Sequence, residues 1–140
     1  MIVWTEVLAR LSALGSCYIS RMSPADPHIL TGPVTRAQLA EMAVTRFGDM
    51  VKAVVDVRLG VLAVSGELHS DEEALLLENG SRQTDLWGIN LYPMETGADW
   101  IEFDSMINVR PSQKNRTRGV EDAALRAAIV RVVTALVTDA

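Results

Sequence analysis

Apolar and polar residues alternate most clearly at the start of residues 99–119, DWIEFDSMINVRPSQKNRTRG. Side chains of successive strand residues point to opposite faces, so this alternation predicts a strand with one apolar and one polar face. The apolar face would carry Ile101, Phe103, Ile107 and Val109, and the polar face Glu102, Asp104, Asn108 and Arg110. The other predicted elements can be arranged around this strand and the polar loop that follows it.

Three earlier apolar segments predict the strands that would accompany it. Residues 51–57 and 61–68 are rich in β-branched residues and flank a short turn containing Gly60, which is typical of a hairpin. The second arm is apolar on both faces up to Ser65, which indicates a central strand covered on both sides. Residues 86–93 form the third predicted strand. A short loop joins it to the fourth, so we expect those two strands to pair antiparallel.

Helical spacing and capping residues predict four helices. Thr35 with Gln38, and Ser70 with Glu73, have the spacing of a capping box, and Asp122 is a typical N-cap residue. The predicted helices cover residues 3–14, 36–47, 71–78 and 123–137. For the third of them a strand remains the alternative, because it contains three successive leucines.

A proline-rich stretch separates the first predicted helix from the others. Residues 16–33 contain Pro24, Pro27 and Pro33, which favour a linker or irregular loop. We therefore expect residues 1–27 to form an N-terminal appendage and residues 28–140 to form a single domain. The remaining elements indicate the α+β class, with a roughly four-stranded, mainly antiparallel sheet and helices packed on one face.

Composition is that of an ordinary globular domain. The 140 residues suit one core, and 49% hydrophobic with 22% charged residues exclude a disordered chain. No apolar run reaches the roughly 20 residues that span a bilayer. Glu6 and Arg10 interrupt the apolar N-terminus, so a signal peptide is not expected. Cys17 is the only cysteine, which excludes an intrachain disulfide and fits a cytoplasmic protein.

The charge distribution is uneven. The net charge is −5, whereas residues 110–118 hold four cations and no acid, which leaves −9 for the rest of the chain. An acidic body argues against non-specific binding of nucleic acid or of an anionic membrane. The cationic loop then has two interpretations, a focused contact with an anion or a solvated surface loop.

From about residue 31 to the C-terminus the sequence resembles a small prokaryotic domain family of unknown function. The resemblance rests on FGDMVKAVVD, GELHSDEEALLLENGS, DLWGINLYP and IEFDSMINVRPSQKNRTRGVED, which occupy residues 47–56, 66–81, 85–93 and 101–122. It implies a bacterial or archaeal setting and supplies no catalytic residues. Members begin near the position of Ile29, which supports treating residues 1–27 as an appendage.

His69 is the first candidate for chemistry. It follows Glu67 by two residues, so both side chains would lie on one face of a continuing strand. Histidine titrates near neutral pH, and a carboxylate partner could orient it as a general base. The alternative is a histidine that only closes a strand end. The two histidines of the chain exclude a multi-histidine metal site.

The polar face of the fourth predicted strand is the second candidate. Asp104 and Asn108, with Glu102 and Arg110, could be joined by Asn90 from the third strand. Two carboxylates beside an amide and a guanidinium could bind a metal or polarise a substrate. The same alternation is expected of any antiparallel sheet with one solvated face.

The loop of residues 110–118 is the third candidate. Arg110, Arg116 and Arg118 provide forked donors suited to phosphate or carboxylate, and Asn115 adds an amide. The N-terminus of the last helix follows directly and could add backbone donors. The loop has no phosphate-loop glycine motif, and charged surface loops are common.

These candidates favour a domain that binds a small anionic ligand, with His69 and Asp104 available for acid–base catalysis. The sequence leaves any cofactor unknown. Whether it is an enzyme stays open. The alternative is a non-catalytic interaction or homo-oligomerisation module that uses a strand edge and the last helix. RNA binding through the cationic loop is a third hypothesis, which the acidic remainder of the chain disfavours.

Overall fold

The computed structural model describes residues 26–139. The helix predicted at residues 3–14, Cys17 and nearly all of the predicted appendage lie outside the described residues. Within residues 26–139, no helix is long and apolar enough to cross a bilayer.

A five-stranded antiparallel sheet forms the centre of the described domain. Its spatial order is β1–β4–β3–β5–β6, and a separate parallel pair joins β2 to β7. The strands are β1 His28–Ile29, β2 Val34–Thr35, β3 Val51–Asp56, β4 Val61–Val64, β5 Leu86–Leu91, β6 Ile101–Glu102 and β7 Val137–Thr138. Residues 26–139 contain three α-helices, α1 Arg36–Val44, α2 His69–Glu78 and α3 Ala123–Leu136.

The helices cover both faces of this sheet. Alternate residues of β3 point to opposite sides, so Ala53 packs with Leu39 of α1 and Ile129 of α3, whereas Val54 packs with Leu76 of α2. The α+β class and the mainly antiparallel sheet are therefore confirmed. The arrangement differs from the prediction of helices on one face, because the two central strands are apolar on both sides and need a cover on each.

The sequence predicted four strands, but the main sheet has a fifth strand, β1, at one edge. β1 comes from the stretch predicted to be a linker or irregular loop, and it pairs with β4 through His28–Val64 and Ile29–Ala63. The pairing covers an edge of β4 that would otherwise expose unpaired backbone groups. Two residues are too short a segment for alternation to reveal.

The fourth predicted strand is shorter than its alternation indicated. β6 ends at Glu102, and 3-10 turns follow at Met106–Asn108 and Pro111–Gln113. The expectation of a strand as far as Arg110 was wrong, because the Ser105 hydroxyl accepts a hydrogen bond from Ile107 N–H at 3.3 Å and starts a turn. The side chain of Ile107 then packs on the α2 side of the sheet.

Two of the three predicted caps are present. Gln38 N–H donates to Thr35 Oγ1 at 3.1 Å while Thr35 N–H donates to Gln38 Oε1 at 2.8 Å, which completes the capping box of α1. At α3, Ala124 N–H donates to Asp122 Oδ1 at 2.9 Å. The capping box predicted at Ser70 was wrong, because α2 begins at His69, two residues earlier than predicted, and no side chain caps it.

Gly88 of β5 lies where the Met106–Asn108 turn crosses the sheet. A Cβ at Gly88 would stand 2.5 Å from Ser105 Cβ and 3.1 Å from Ile107 Cγ1. We expect Gly88→Ala to lower the free energy of unfolding by roughly 1–3 kcal/mol, because the added methyl overpacks this contact. Urea denaturation monitored by circular dichroism measures the change.

Gly32→Ala is the matched control for this substitution. Apart from Gly32 itself and its two chain neighbours, no heavy atom of the described residues lies within 4 Å of a Cβ built at Gly32. The control should change the free energy of unfolding by less than about 1 kcal/mol, and a small gain is expected from the stiffer unfolded chain. Equal effects of the two substitutions would contradict the close approach at Gly88.

Candidate functional site

A small pocket opens on the face of the sheet that carries α2. Its volume is about 170 Å³, and it is lined by Lys52, residues 68–70, residues 105–107 and Arg118. The lining therefore comes from a central strand, the start of α2, a 3-10 turn and the end of the cationic loop. We call it the Lys52–Arg118 pocket.

Lys52 is the central cation of the pocket. Lys52 lies between Val51 and Ala53 of β3, so its side chain points to the face opposite the one that these two apolar residues share. Its ammonium group lies 5.4 Å from the centre of the Phe47 ring. Within the described part of the chain, it forms no ion pair and no hydrogen bond. A charge held at the sheet surface without a carboxylate partner is available to a ligand.

His69 stands at the first position of α2 and is only 7% exposed. Its Nε2 lies 2.8 Å from the carbonyl oxygen of Ile89. Because a carbonyl only accepts, Nε2 carries the proton and Nδ1 holds the lone pair. Burial lowers the pKa of His69 below its ordinary value of 6.5. The hydrogen bond to Ile89 acts in the opposite direction and raises the pKa, whereas the nearby Lys52 lowers it further. The imidazole is therefore neutral at neutral pH.

Glu72 lies one turn further along α2 and is fully buried. Its Oε2 accepts a hydrogen bond from Gly66 N–H at 2.8 Å, whereas its Oε1 has no partner among residues 26–139. Burial raises the pKa of Glu72 well above its ordinary value of 4.5. The acid form of Glu72 thus persists to a higher pH than that of an exposed glutamate, although the Gly66 hydrogen bond and the nearby Lys52 act in the opposite direction.

Arg118 is the second cation of the pocket. Its Nε donates to Asp104 Oδ1 at 2.6 Å, and its side chain is 55% exposed. The two terminal nitrogens of its guanidinium meet no acceptor in the described residues. The Asp104 carboxylate thus orients Arg118 while leaving the outer edge of the fork free for a ligand.

The predicted polar face forms a network beside the pocket. Asn90 Nδ2 donates to Glu102 Oε1 at 2.9 Å and to the Asp104 carbonyl at 3.2 Å. Asn90 Oδ1 is buried and finds no donor at hydrogen-bonding distance in the described chain. Asn90 therefore ties the Glu102 side chain to the backbone at Asp104 beside the pocket.

Asn108 joins this network to the backbone of β5. Gly88 N–H donates to Asn108 Oδ1 at 2.8 Å, and Asn108 Nδ2 donates to the Gly88 carbonyl at 2.9 Å. The same Nδ2 donates to the Arg118 carbonyl at 2.9 Å. Asn108 is fully buried, so its amide positions Arg118 and the turn without reaching a ligand itself.

Arg110 and Asn115 are used within the fold. The Arg110 guanidinium donates to the carbonyls of Ile107, Gln83 and Leu86 and lies 4.1 Å from the centre of the Trp87 ring. Buried Asn115 donates to the carbonyls of Asn108 and Gly119 at 2.7 and 2.8 Å. Both side chains hold the loop in shape and lie outside the pocket lining.

Arg116 and Glu67 also lie outside the pocket. Both are exposed, and the backbone N–H of Arg116 donates to the Glu121 carboxylate. Glu67 forms an ion pair with Arg46 at 3.7 Å. Of the residues predicted from sequence, only His69 and Arg118 line the pocket, while Asn90, Asp104 and Asn108 support it.

Sequence reasoning missed Lys52, Ser70 and Ser105 among the lining residues. Lys52 carried a usable signal, because it is the one basic residue within the apolar run of β3. Ser70 and Ser105 had none, since their position depends on where α2 begins and on the turn after β6. Among the described residues, no group of three or more His, Cys, Asp or Glu side chains could hold a metal ion.

The sequence matches a family model over residues 28–136, which is most of the chain. The chain belongs to the DUF5674 family. Its description is "Protein of unknown function", in agreement with the resemblance drawn from the sequence motifs. No curated protein and no solved structure matches the chain. The family assigns no activity, so a functional hypothesis must come from the geometry of the Lys52–Arg118 pocket.

We predict that Glu72→Gln changes the pH dependence of stability. Because the pKa of Glu72 is raised on folding, its contribution is complete below pH 4.5 and is lost as the pH rises through the folded value. The wild type should therefore lose stability relative to Glu72→Gln as the pH rises above 4.5, by up to about 1.4 kcal/mol per pH unit. Urea titrations across the pH range measure the difference.

Glu78→Gln, an exposed change at the other end of α2, is the control for this experiment. Its stability should follow that of the wild type across the same pH range. A constant difference between wild type and Glu72→Gln at all pH values would show that Glu72 ionises normally in the folded protein.

A second pH effect is expected at His69, with the opposite sign. Its pKa is lowered on folding, so its contribution to stability is complete above pH 6.5 and is lost as the pH falls towards the folded value. His69→Gln keeps a donor for the Ile89 carbonyl without titrating, and should lose less stability than the wild type below pH 6.5. His28→Gln should behave like the wild type, and no divergence of His69→Gln would refute this assignment.

Proposed function

We propose that this domain binds a small anionic ligand, with a phosphate or carboxylate group seated in the Lys52–Arg118 pocket. The supporting observation is that Lys52, which forms no ion pair or hydrogen bond among residues 26–139, lines the same small pocket as Arg118, whose terminal guanidinium nitrogens meet no acceptor there. Asp104 offsets part of the charge of Arg118, whereas Lys52 has no ion-pair partner among residues 26–139, so the pocket keeps a positive charge that attracts an anion.

The start of α2 strengthens this proposal. Residues 68–70 line the pocket, and no side chain caps the helix there. Backbone N–H groups at a helix N-terminus point outward and carry a partial positive charge, so they favour an anion. The pocket thereby combines an ammonium, a guanidinium and a helix end, which are three donors from three separate elements.

The other polar residues have supporting roles in this proposal. Asp104 and Asn108 position Arg118, through its Nε and its carbonyl respectively. Neutral His69 lines the pocket and holds a lone pair on Nδ1, so it can accept a hydrogen bond from a ligand hydroxyl. The proposal is one of binding, and it requires no catalytic step.

The alternatives have weaker support. Each outer strand of the sheet, β1 and β6, is two residues long and offers little edge to a second chain. The apolar stripe of α3 is turned towards the sheet, where Ile129 and Val133 are buried. RNA binding would use the whole loop, yet Arg110 is engaged inside the fold and Arg118 is paired with Asp104.

We also propose a cytoplasmic location in a prokaryote. The single cysteine, Cys17, permits no intrachain disulfide, as is usual in reducing compartments. The resemblance of the sequence motifs implies a bacterial or archaeal setting. A small, charged metabolite would be an accessible ligand in that compartment.

Phosphate should raise the melting temperature of the wild type, measured by differential scanning fluorimetry at constant ionic strength. A ligand that binds only the folded state stabilises it by RT ln(1 + [L]/Kd). Lys52→Gln and Arg118→Gln should each weaken phosphate binding by roughly 10- to 100-fold, because each removes a charged donor worth about 1.5–3 kcal/mol. The melting-temperature shift at a given phosphate concentration should shrink accordingly.

Two variants that remove the same charge serve as controls. Arg131→Gln lies on the exposed side of α3, across the sheet from the pocket, and Arg116→Gln lies in the loop but outside the lining. Both should keep the wild-type response to phosphate. The proposal fails if phosphate gives no shift in the wild type, or if Arg131→Gln reduces the shift as much as Arg118→Gln.

A further inference from the structure

Two large apolar side chains border the mouth of the Lys52–Arg118 pocket. Leu68 is 55% exposed and Met106 is 65% exposed, and both line it. Leu68 precedes α2 and Met106 opens the turn after β6, so the two come from separate elements. Apolar groups that meet at the mouth of a cationic pocket suit a ligand that has an apolar part beside its anionic group.

The size of the pocket indicates how such a ligand would lie. Pockets that enclose whole drug-sized ligands measure roughly 300–1,000 Å³. The Lys52–Arg118 pocket measures about 170 Å³, which is enough for an anionic head group and too small for a larger ligand. The remainder of the ligand must therefore lie over the mouth, in contact with Leu68 and Met106.

The donors favour phosphate over carboxylate. A phosphate monoester has three terminal oxygens and a charge of about −1.5 to −2 at neutral pH. Three donors from different directions surround the pocket, namely Lys52, Arg118 and the start of α2. A carboxylate has two oxygens in one plane and a single charge, so it would leave part of this arrangement unused.

We propose that the ligand is a soluble phosphate monoester whose alcohol is aromatic or apolar, with the phosphate between Lys52 and Arg118 and the apolar group over Leu68 and Met106. This inference rests on the proposed anion-binding function. An aromatic group fits the mouth well, because the Met106 thioether and the exposed guanidinium of Arg118 both make favourable contacts with aromatic rings.

Isothermal titration calorimetry of the full chain with two monoesters tests the inference. Phenyl phosphate and glycerol 1-phosphate have the same anionic group and differ in the polarity of the rest. Phenyl phosphate should bind about tenfold more tightly, because its ring removes apolar surface of Leu68 and Met106 from water. Phenol alone should not bind measurably, since it lacks the anionic group.

The double variant Leu68→Ala/Met106→Gln should lose this tenfold preference and keep the affinity for glycerol 1-phosphate, because alanine cannot cap the start of α2. Leu77→Ala/Met94→Gln is the matched control, because it makes the same two changes at exposed apolar residues outside the pocket lining. The control should retain the preference for phenyl phosphate. Circular dichroism spectra check that both double variants are folded.

The outcomes separate this inference from the proposed function. If the wild type binds the two monoesters with equal affinity, the inference that the ligand has an apolar part is overturned, while the proposed anion site remains. A preference that persists in Leu68→Ala/Met106→Gln would exclude these two residues as its source and overturn the inference. If neither monoester nor inorganic phosphate binds, both proposals fail.

Discussion

The fold depends on one pair of hydrogen bonds between a side chain and a strand. The carboxamide of Asn108 accepts from and donates to the backbone of Gly88, at 2.8 and 2.9 Å. A neighbouring strand would bond to the same two groups, so the amide acts as a one-residue substitute for a strand at this edge of β5. Leaving them buried without partners would cost roughly 1–3 kcal/mol for each group.

The replacement of a strand by the Asn108 side chain determines the path of the chain after β6. Because Asn108 replaces a strand, the chain after Glu102 is free to turn inward and to cross β5. The crossing needs a residue without a side chain beneath it, and Gly88 provides one. The same amide holds the carbonyl of Arg118, so the pocket wall and the end of the sheet are set by a single buried residue.

Elements with strong local signals were predicted correctly from sequence. The β3–β4 hairpin, β5 and α3 all follow their hydrophobic periodicity, and the caps at Thr35 and Asp122 are where the sequence placed them. The prediction of a strand up to Arg110 was wrong. Ile107 and Asn108 alternate in polarity because they lie in a turn that places their side chains in different surroundings. Side-chain hydrogen bonds to a distant backbone leave no trace in periodicity.

The candidate residues divide in a similar way. His69 and Arg118 were found because an isolated histidine and a cationic loop are visible in composition, and both line the pocket. Arg110 and Asn115 have the same chemistry as typical ligand-binding residues, yet their donors are used by carbonyls of the fold. Only the three-dimensional structure distinguishes a donor that holds a loop from one that is free to bind.

The hydrogen bonds of Arg110 and Asn115 have a consequence for the kinetics and entropy of recognition. They fix the loop through carbonyls of Gln83, Asn108 and Gly119 before any ligand arrives. A ligand therefore meets a preorganised surface, and little conformational entropy is lost from the loop on association. Encounter would then be limited by diffusion and by the local electric field, with no slow rearrangement of the backbone.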